Sequence, residues 1–210
     1  MIRRQSFYIV GILLVILGLS MLCSVVCSLI YQDGDLIPLL QSLAVTIVSG
    51  FTLMLLFKSK EKKELSTHDG FAVVTIGWIA IVIFSAFPFY FSGTLDYTNS
   101  FFEAMSGLTT TGASVFGHSD TLMIEDLPHG ILFWRSFTQF IGGMGIIVFS
   151  IAILPLLGMG GVQLFRAEVA GPVADKIKPR VKQTAKLLWG IYVGFVLILC
   201  LILKMEGMSW

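Results

Sequence analysis

The chain has 210 residues, 56% of them hydrophobic and only 13% charged, with a formal net charge of +1. Soluble domains carry about a quarter charged residues, and a mean hydropathy of +0.88 excludes a water-exposed surface of the ordinary kind. The composition predicts an all-α polytopic membrane protein whose apolar surface faces lipid and other helices.

A hydrocarbon layer about 30 Å thick needs about 20 apolar residues in helix. The first stretch that meets this is Phe7–Ile30, preceded by Arg3 and Arg4. It is too long for a signal-peptide core, and no small-residue cleavage site follows it. Cys23 and Cys27 lie within it and Cys200 lies in the last apolar run; all three are expected to pack as small apolar side chains. The second span is Leu36–Phe57, followed by a charged loop, Lys58–Gly70. The third is Phe71–Phe91, the fourth Gly130–Leu157 and the fifth Leu187–Leu203. Between the last two lies a basic break, Gly158–Lys186, with Gly158, Gly160, Gly161, Gly171, Pro172 and Pro179 as helix breakers.

Charge sorts these segments by side. If all five spans are crossed in turn, every Lys and Arg except Arg135 and Lys204 falls on one face. The opposite loops, Tyr31–Asp35 and Ser92–His129, contain no Lys or Arg and hold Asp33, Asp35, Asp96, Glu103, Asp120, Glu125 and Asp126. Basic loops stay in the cytoplasm, so the N-terminus is expected there and the acidic loops outside. Lys204, at the end of the last span, can snorkel outward. Arg135 sits within two turns of the start of the fourth span. It is expected either to snorkel to the interface or to serve as an outer-vestibule or structural charge toward loop carbonyls or Glu103.

The external segment Ser92–His129 contains an apolar stretch, Ser100–Leu108, too short to span. Ser100 and Glu103 form the S-x-x-E pattern of a capping box, which predicts a helix start at Ser100. After this half-length helix comes Thr109-Thr110-Thr111-Gly112-Ala113-Ser114. Irregular backbone at membrane depth is tolerated only inside protein or along a water-filled path, and a dehydrated cation needs a ring of oxygens in place of its water. The three β-branched threonines favour extended backbone, Gly112 can take a positive φ, and the C-terminal end of the preceding helix favours a cation. The prediction is a re-entrant pore loop with ion ligands at Thr109, Thr110, Thr111 and Gly112. The glycines at 142, 143 and 145 suit close helix packing or a gating hinge. Gly158–Gly161 is no nucleotide fingerprint, since no βαβ unit surrounds it. His68, His118 and His129 show no metal spacing and are expected as surface loop residues.

The stretch Phe102–Ser114 resembles the first filter of the Trk/Ktr/HKT potassium transporters. Pro128–Arg135, Gly142–Ile147, Ile153–Gly158 and Arg166–Pro172 resemble the bacterial TrkH branch of that family. The resemblance covers essentially the whole chain. It implies four helix–pore-loop–helix repeats around one ion path, each with one key glycine, preceded by two extra helices. On that pattern residues 1–65 are the two-helix N-terminal domain and residues 66–161 the first repeat. Residues 162–186 are a cytoplasmic linker, and 187–210 the first helix of a second repeat. Three filter strands would then lie beyond Trp210, in a longer protein of which this is an N-terminal portion or a truncated product.

Function follows as an expectation: potassium uptake across the bacterial inner membrane by selective permeation, with potassium at Thr110 and Thr111. One glycine per strand predicts few tight sites and loose discrimination against sodium or rubidium. The resemblance further implies a homodimer of the full-length chain and a cytoplasmic nucleotide-binding subunit of the TrkA type, the latter facing the basic stretch Phe165–Lys186. That stretch could equally lie on the membrane surface. Neither an organic cofactor nor a nucleic-acid partner is expected. An intramembrane enzyme would need paired carboxylates, a Ser/His pair or metal ligands within the spans, and none is present. The competing expectation is a non-conducting membrane scaffold or assembly fragment, since one repeat cannot close a four-sided pore.

Overall fold

A computed structural model describes residues 4–58, 67–117, 121–153 and 177–207. The described residues are helical, with no strand. In chain order the helices are α1 (Arg4–Tyr31), α2 (Leu36–Leu56), α3 (Thr67–Ser85), α4 (Phe87–Phe91), α5 (Tyr97–Leu108), a 3₁₀ turn (Ile124–Asp126), α6 (His129–Ile153) and α7 (Ile177–Met205). Four stretches are long and apolar enough to cross a membrane: Arg4–Tyr31, Leu36–Leu56, Asp69–Phe91 and Lys186–Met205. They coincide with four of the expected spans. The other, Gly130–Leu157, is occupied by the 25-residue α6, its last four positions lying outside the described residues.

The chain divides into two compact units, Met1–Gly142 and Gly143–Trp210. In the first, α1 and α2 run antiparallel, since Phe7 stacks on Phe57 while Gly11 meets Gly50 and Gly18 meets Ile47. Lipid tails give no hydrophobic drive between helices, so close approach by small residues has to supply it. A Cβ on Gly11 would lie 2.8 Å from the Gly50 carbonyl oxygen, and the converse distance is also 2.8 Å. Any larger residue at either position would therefore separate the pair.

Helix α3 passes into α4 through Ala86, with Pro88 two residues on. Proline has no N–H to continue the ladder, but Ala86 and Tyr90 keep their i−4 bonds at 3.1 Å. The core of this unit holds Leu14, Leu17, Met21, Leu39, Val82, Phe89, Ala104, Leu108, Ile131 and Trp134, all buried. The Trp134 indole N–H, fully buried, donates to the Ser85 carbonyl at 3.0 Å, so its one polar atom is satisfied.

The turn between α1 and α2 clasps the start of α6. Asp33 Oδ2 accepts the His129 backbone N–H at 2.9 Å, and its side chain also meets His129 Nδ1. Asp35, buried, accepts the Ile131 N–H at 3.1 Å and the Ser28 hydroxyl. The first N–H groups of a helix have no internal partner and favour negative charge, and here both capping carboxylates come from another element. Gly130 is required, because a Cβ there would lie 2.4 Å from Asp35 Oδ2. The Tyr31 ring stacks flat on His129, 3.9 Å between centroids. His129, expected as a plain surface residue, is thus part of a structural junction.

The backbone N–H of His129, and then its ring, hold the Asp33 carboxyl below its ordinary value of 3.8. A carboxylate lowered on folding stabilises above its unfolded value and loses that contribution only as the pH falls through the folded one. Acid below about pH 3.8 is therefore needed before Asp33 lets go. Asp35→Ala leaves the buried Ile131 N–H without an acceptor. The expected loss is about 1–3 kcal/mol, read as a lower thermal midpoint in detergent; an unchanged midpoint would remove Asp35 from the clasp.

In the second unit, α7 begins at Ile177, well before the apolar stretch starts. Pro179 stands in its first turn, where the missing N–H would have had no helical partner, so it does not break the helix as expected. The α7 surface is apolar, with Leu187, Phe195, Leu197 and Leu201 exposed. A Cβ on Gly143 of α6 would lie 2.7 Å from the Tyr192 hydroxyl, which puts this glycine to use in packing. Arg166–Pro172, Gly158–Gly161 and His118 lie outside the described residues.

Candidate functional site: the loop after the short helix

Helix α5 has 12 residues, about 18 Å at 1.5 Å per residue, too short to cross a bilayer. It begins at Tyr97 with Asp96 at the N-cap position, four residues before the Ser100 N-cap of the capping-box pattern. Ser100 is already inside the first turn, its N–H bonded to the Asp96 carbonyl at 2.9 Å. Glu103 is thereby released from capping and does something else.

The helix ends in a Schellman motif. The Thr111 N–H donates back to the Ser106 carbonyl at 3.0 Å and the Thr110 N–H to Gly107 at 2.9 Å. This motif needs a left-handed residue after the C-cap, and Thr110 fills that place with φ +57. Positive φ in a β-branched residue is a true outlier, and such strain, about 1–3 kcal/mol, gathers at functional sites. The expectation of three extended threonines is corrected here. Thr109 is the C-cap at φ −84 and ψ 0, and Thr110 is left-handed. Gly112 has φ +76, in the region that only glycine enters freely.

Residues Thr109 to Ala113 are exposed. The Thr110 hydroxyl donates to the Thr109 carbonyl at 2.7 Å, and Ala113 accepts the Ser106 hydroxyl at 2.5 Å. Among the described residues no donor reaches the carbonyls of Thr110, Thr111 or Gly112. Three consecutive backbone acceptors thus stand without a donor among the described residues, at the negative end of a helix.

Behind the loop lies a buried ion pair. Arg135 Nε donates to Glu103 Oε1 at 2.7 Å, with side-chain exposures of 15% and 2%. The Ser114 hydroxyl reaches both Glu103 oxygens at 3.1 Å, and the Val115 N–H reaches Oε2 at 3.1 Å. So α6 holds Glu103 through Arg135, and Glu103 holds the loop two residues beyond Gly112. Arg135 is thus turned toward Glu103, with 15% of its side chain exposed. α5 and α6 also touch directly: a Cβ on Gly107 would meet Thr138 Oγ1 at 2.3 Å, and one on Gly142 would meet the Leu108 carbonyl oxygen at 2.2 Å. Gly142 thus serves helix packing.

Of the residues expected here, Thr109–Gly112 form the segment after α5 and Arg135 meets Glu103; Ser106 was not expected. The available signal was spacing: Ser106 stands three residues after Glu103, on the same helix face. Among the described residues there is no cluster of His, Cys, Asp or Glu suited to a metal ion.

The cation transport protein family TrkH matches residues 39–206. The chain is 42% identical over 209 residues to the Trk system potassium uptake protein TrkH of Escherichia coli K12, covering 98% of this chain and 42% of that protein. It is 40% identical over 210 residues to TrkH of Vibrio parahaemolyticus, with the same two coverages. It is 36% identical over 202 residues to TrkG of Escherichia coli K12, covering 94% and 40%. The crystal structure of the potassium transporter TrkH from Vibrio parahaemolyticus superposes with a TM-score of 0.79 at 33% identity. That match covers 98% of this chain and 40% of that one. The chain spans about 42% of the length of the curated TrkH relatives it matches.

Proposed function

The chain belongs to the TrkH cation transport family, and from that premise we propose that it supplies one wall of a potassium-selective filter. In this reading α3–α4, the α5 loop and α6 form a helix–pore-loop–helix repeat. The loop enters the membrane from outside, and α1 and α2 pack beside the repeat. α7 opens a second repeat, and three equivalent strands close the ring. The N-terminus is cytoplasmic, and the membrane is the bacterial inner membrane.

The observation that carries this reading is that, among the described residues, no donor engages the carbonyls of the exposed residues Thr110, Thr111 and Gly112. Backbone carbonyls that no donor engages can replace the hydration shell of an alkali cation, and no proton transfer or covalent step is required. The buried Glu103–Arg135 pair fixes the strand from behind without leaving net charge in the path. Potassium is the transported substrate. The relatives named above are potassium uptake proteins of a Trk system; a homodimer of full-length chains and a cytoplasmic nucleotide-binding subunit of the TrkA type belong to the same proposal.

The test is rubidium flux into liposomes holding the full-length protein. Saturable uptake, competed by potassium more strongly than by sodium, is the expected result. Flux no greater than in empty liposomes would favour a non-conducting scaffold.

A further inference from the structure

Ser106 bonds to the strand on both sides of Gly112. Its carbonyl accepts the Thr111 N–H at 3.0 Å, and its hydroxyl donates to the Ala113 carbonyl at 2.5 Å. The same carbonyl lies 3.4 Å from the Thr109 hydroxyl, which also bonds Met105 and Thr111 Oγ1, each at 2.8 Å. One buried residue of α5 therefore fastens the residue before Gly112 and the residue after it. Between them, a Cβ built on Gly112 meets no atom within 4 Å.

From this we infer that Ser106 is a positioning residue that sets ion discrimination. The inference rests on the filter reading and adds a residue outside the strand to it. The Ser106 hydroxyl withdraws the Ala113 carbonyl from the acceptors facing the path, so the free run ends at Gly112. It also fixes the chord from Thr111 to Ala113, which holds the three free carbonyls at a set spacing. A carbonyl cage favours the larger ion only if it resists closing around the smaller one. In Ser106→Ala the Thr111 N–H bond persists, because it uses the backbone, but the Ala113 end is released. The strand can then contract toward sodium. Glu103 holds Ser114 and Val115 independently, so the loop as a whole stays in place.

The experiment is rubidium and sodium flux through the full-length protein in liposomes, for wild type, Ser106→Ala and Ser106→Thr. Thermal midpoints in detergent check that each variant is folded. Ser106→Ala is expected to keep rubidium flux and to lose about fivefold in rubidium-over-sodium discrimination, the factor that one ordinary hydrogen bond is worth. Ser106→Thr, which retains the hydroxyl, is expected to restore most of it. Gly112→Asp in the same liposomes reads the filter itself. If that variant blocks flux while folded Ser106→Ala discriminates like wild type, the filter stands and the role given to Ser106 is wrong. If Gly112→Asp conducts normally, the filter reading fails first.

Discussion

Replacing Gly112 by aspartate in the full-length protein is expected to abolish rubidium uptake. Two effects combine. The backbone there is left-handed, φ +76, which costs a residue with a Cβ about 1–2 kcal/mol. The larger effect is charge. A carboxylate about 4 Å from a cation at an effective dielectric of about 20 adds about 4 kcal/mol of attraction. Conduction requires that the ion leave as well as enter, and that much extra attraction slows release by about three orders of magnitude. The space around Gly112 is open within this chain, so the side chain is accommodated and the protein still reaches the membrane. Gly112→Ala separates the two effects, since it carries the conformational cost alone and should only reduce uptake. Wild-type uptake and selectivity in Gly112→Asp would remove Thr109–Gly112 from the ion path.

The second large effect is at Arg135. Its partner Glu103 is 2% exposed, and removing one member of a buried pair leaves an uncompensated charge at about 3–5 kcal/mol. A domain's whole stability is about 5–15 kcal/mol, so Arg135→Leu is expected to cut the folded, membrane-inserted protein severely. Adding Glu103→Gln removes the stranded charge and keeps an acceptor for the Val115 N–H. The double variant should therefore regain much of the loss, a coupling that a double-mutant cycle measures directly. A snorkelling arginine would behave otherwise, with a loss below about 1 kcal/mol and no dependence on residue 103. Thermal midpoints of the four proteins in detergent distinguish the two cases.

Much of the fold was legible because lipid imposes simple rules. Length, hydropathy and the exclusion of Lys and Arg from two loops marked the spans. The structure has apolar helices at Arg4–Tyr31, Leu36–Leu56, Asp69–Phe91 and Lys186–Met205. The short helix before Thr109 was legible too, though not its start. Asp96 and Ser100 are both good N-cap residues one turn apart, and the residue pattern alone could not rank them. Positive φ at Gly112 followed from its type. Positive φ at Thr110 did not, because β-branching argues against it, and only the bonds from Thr110 and Thr111 back to Gly107 and Ser106 show why it is adopted. The clasp of Asp33 and Asp35 on α6 joins positions 96 residues apart, a pairing no local pattern encodes. Ser106 was harder to read for a related reason: only its place three residues after Glu103 pointed to it, and its hydroxyl bonds Ala113, seven residues on, rather than its own turn.

The central claim is that the carbonyls of Thr110, Thr111 and Gly112 coordinate the transported ion. Crystals of the full-length protein grown in thallium or rubidium test it through anomalous scattering. An anomalous peak in contact with those three carbonyls is the expected result. A clear peak elsewhere along the protein, with none beside Thr110–Gly112, would contradict it.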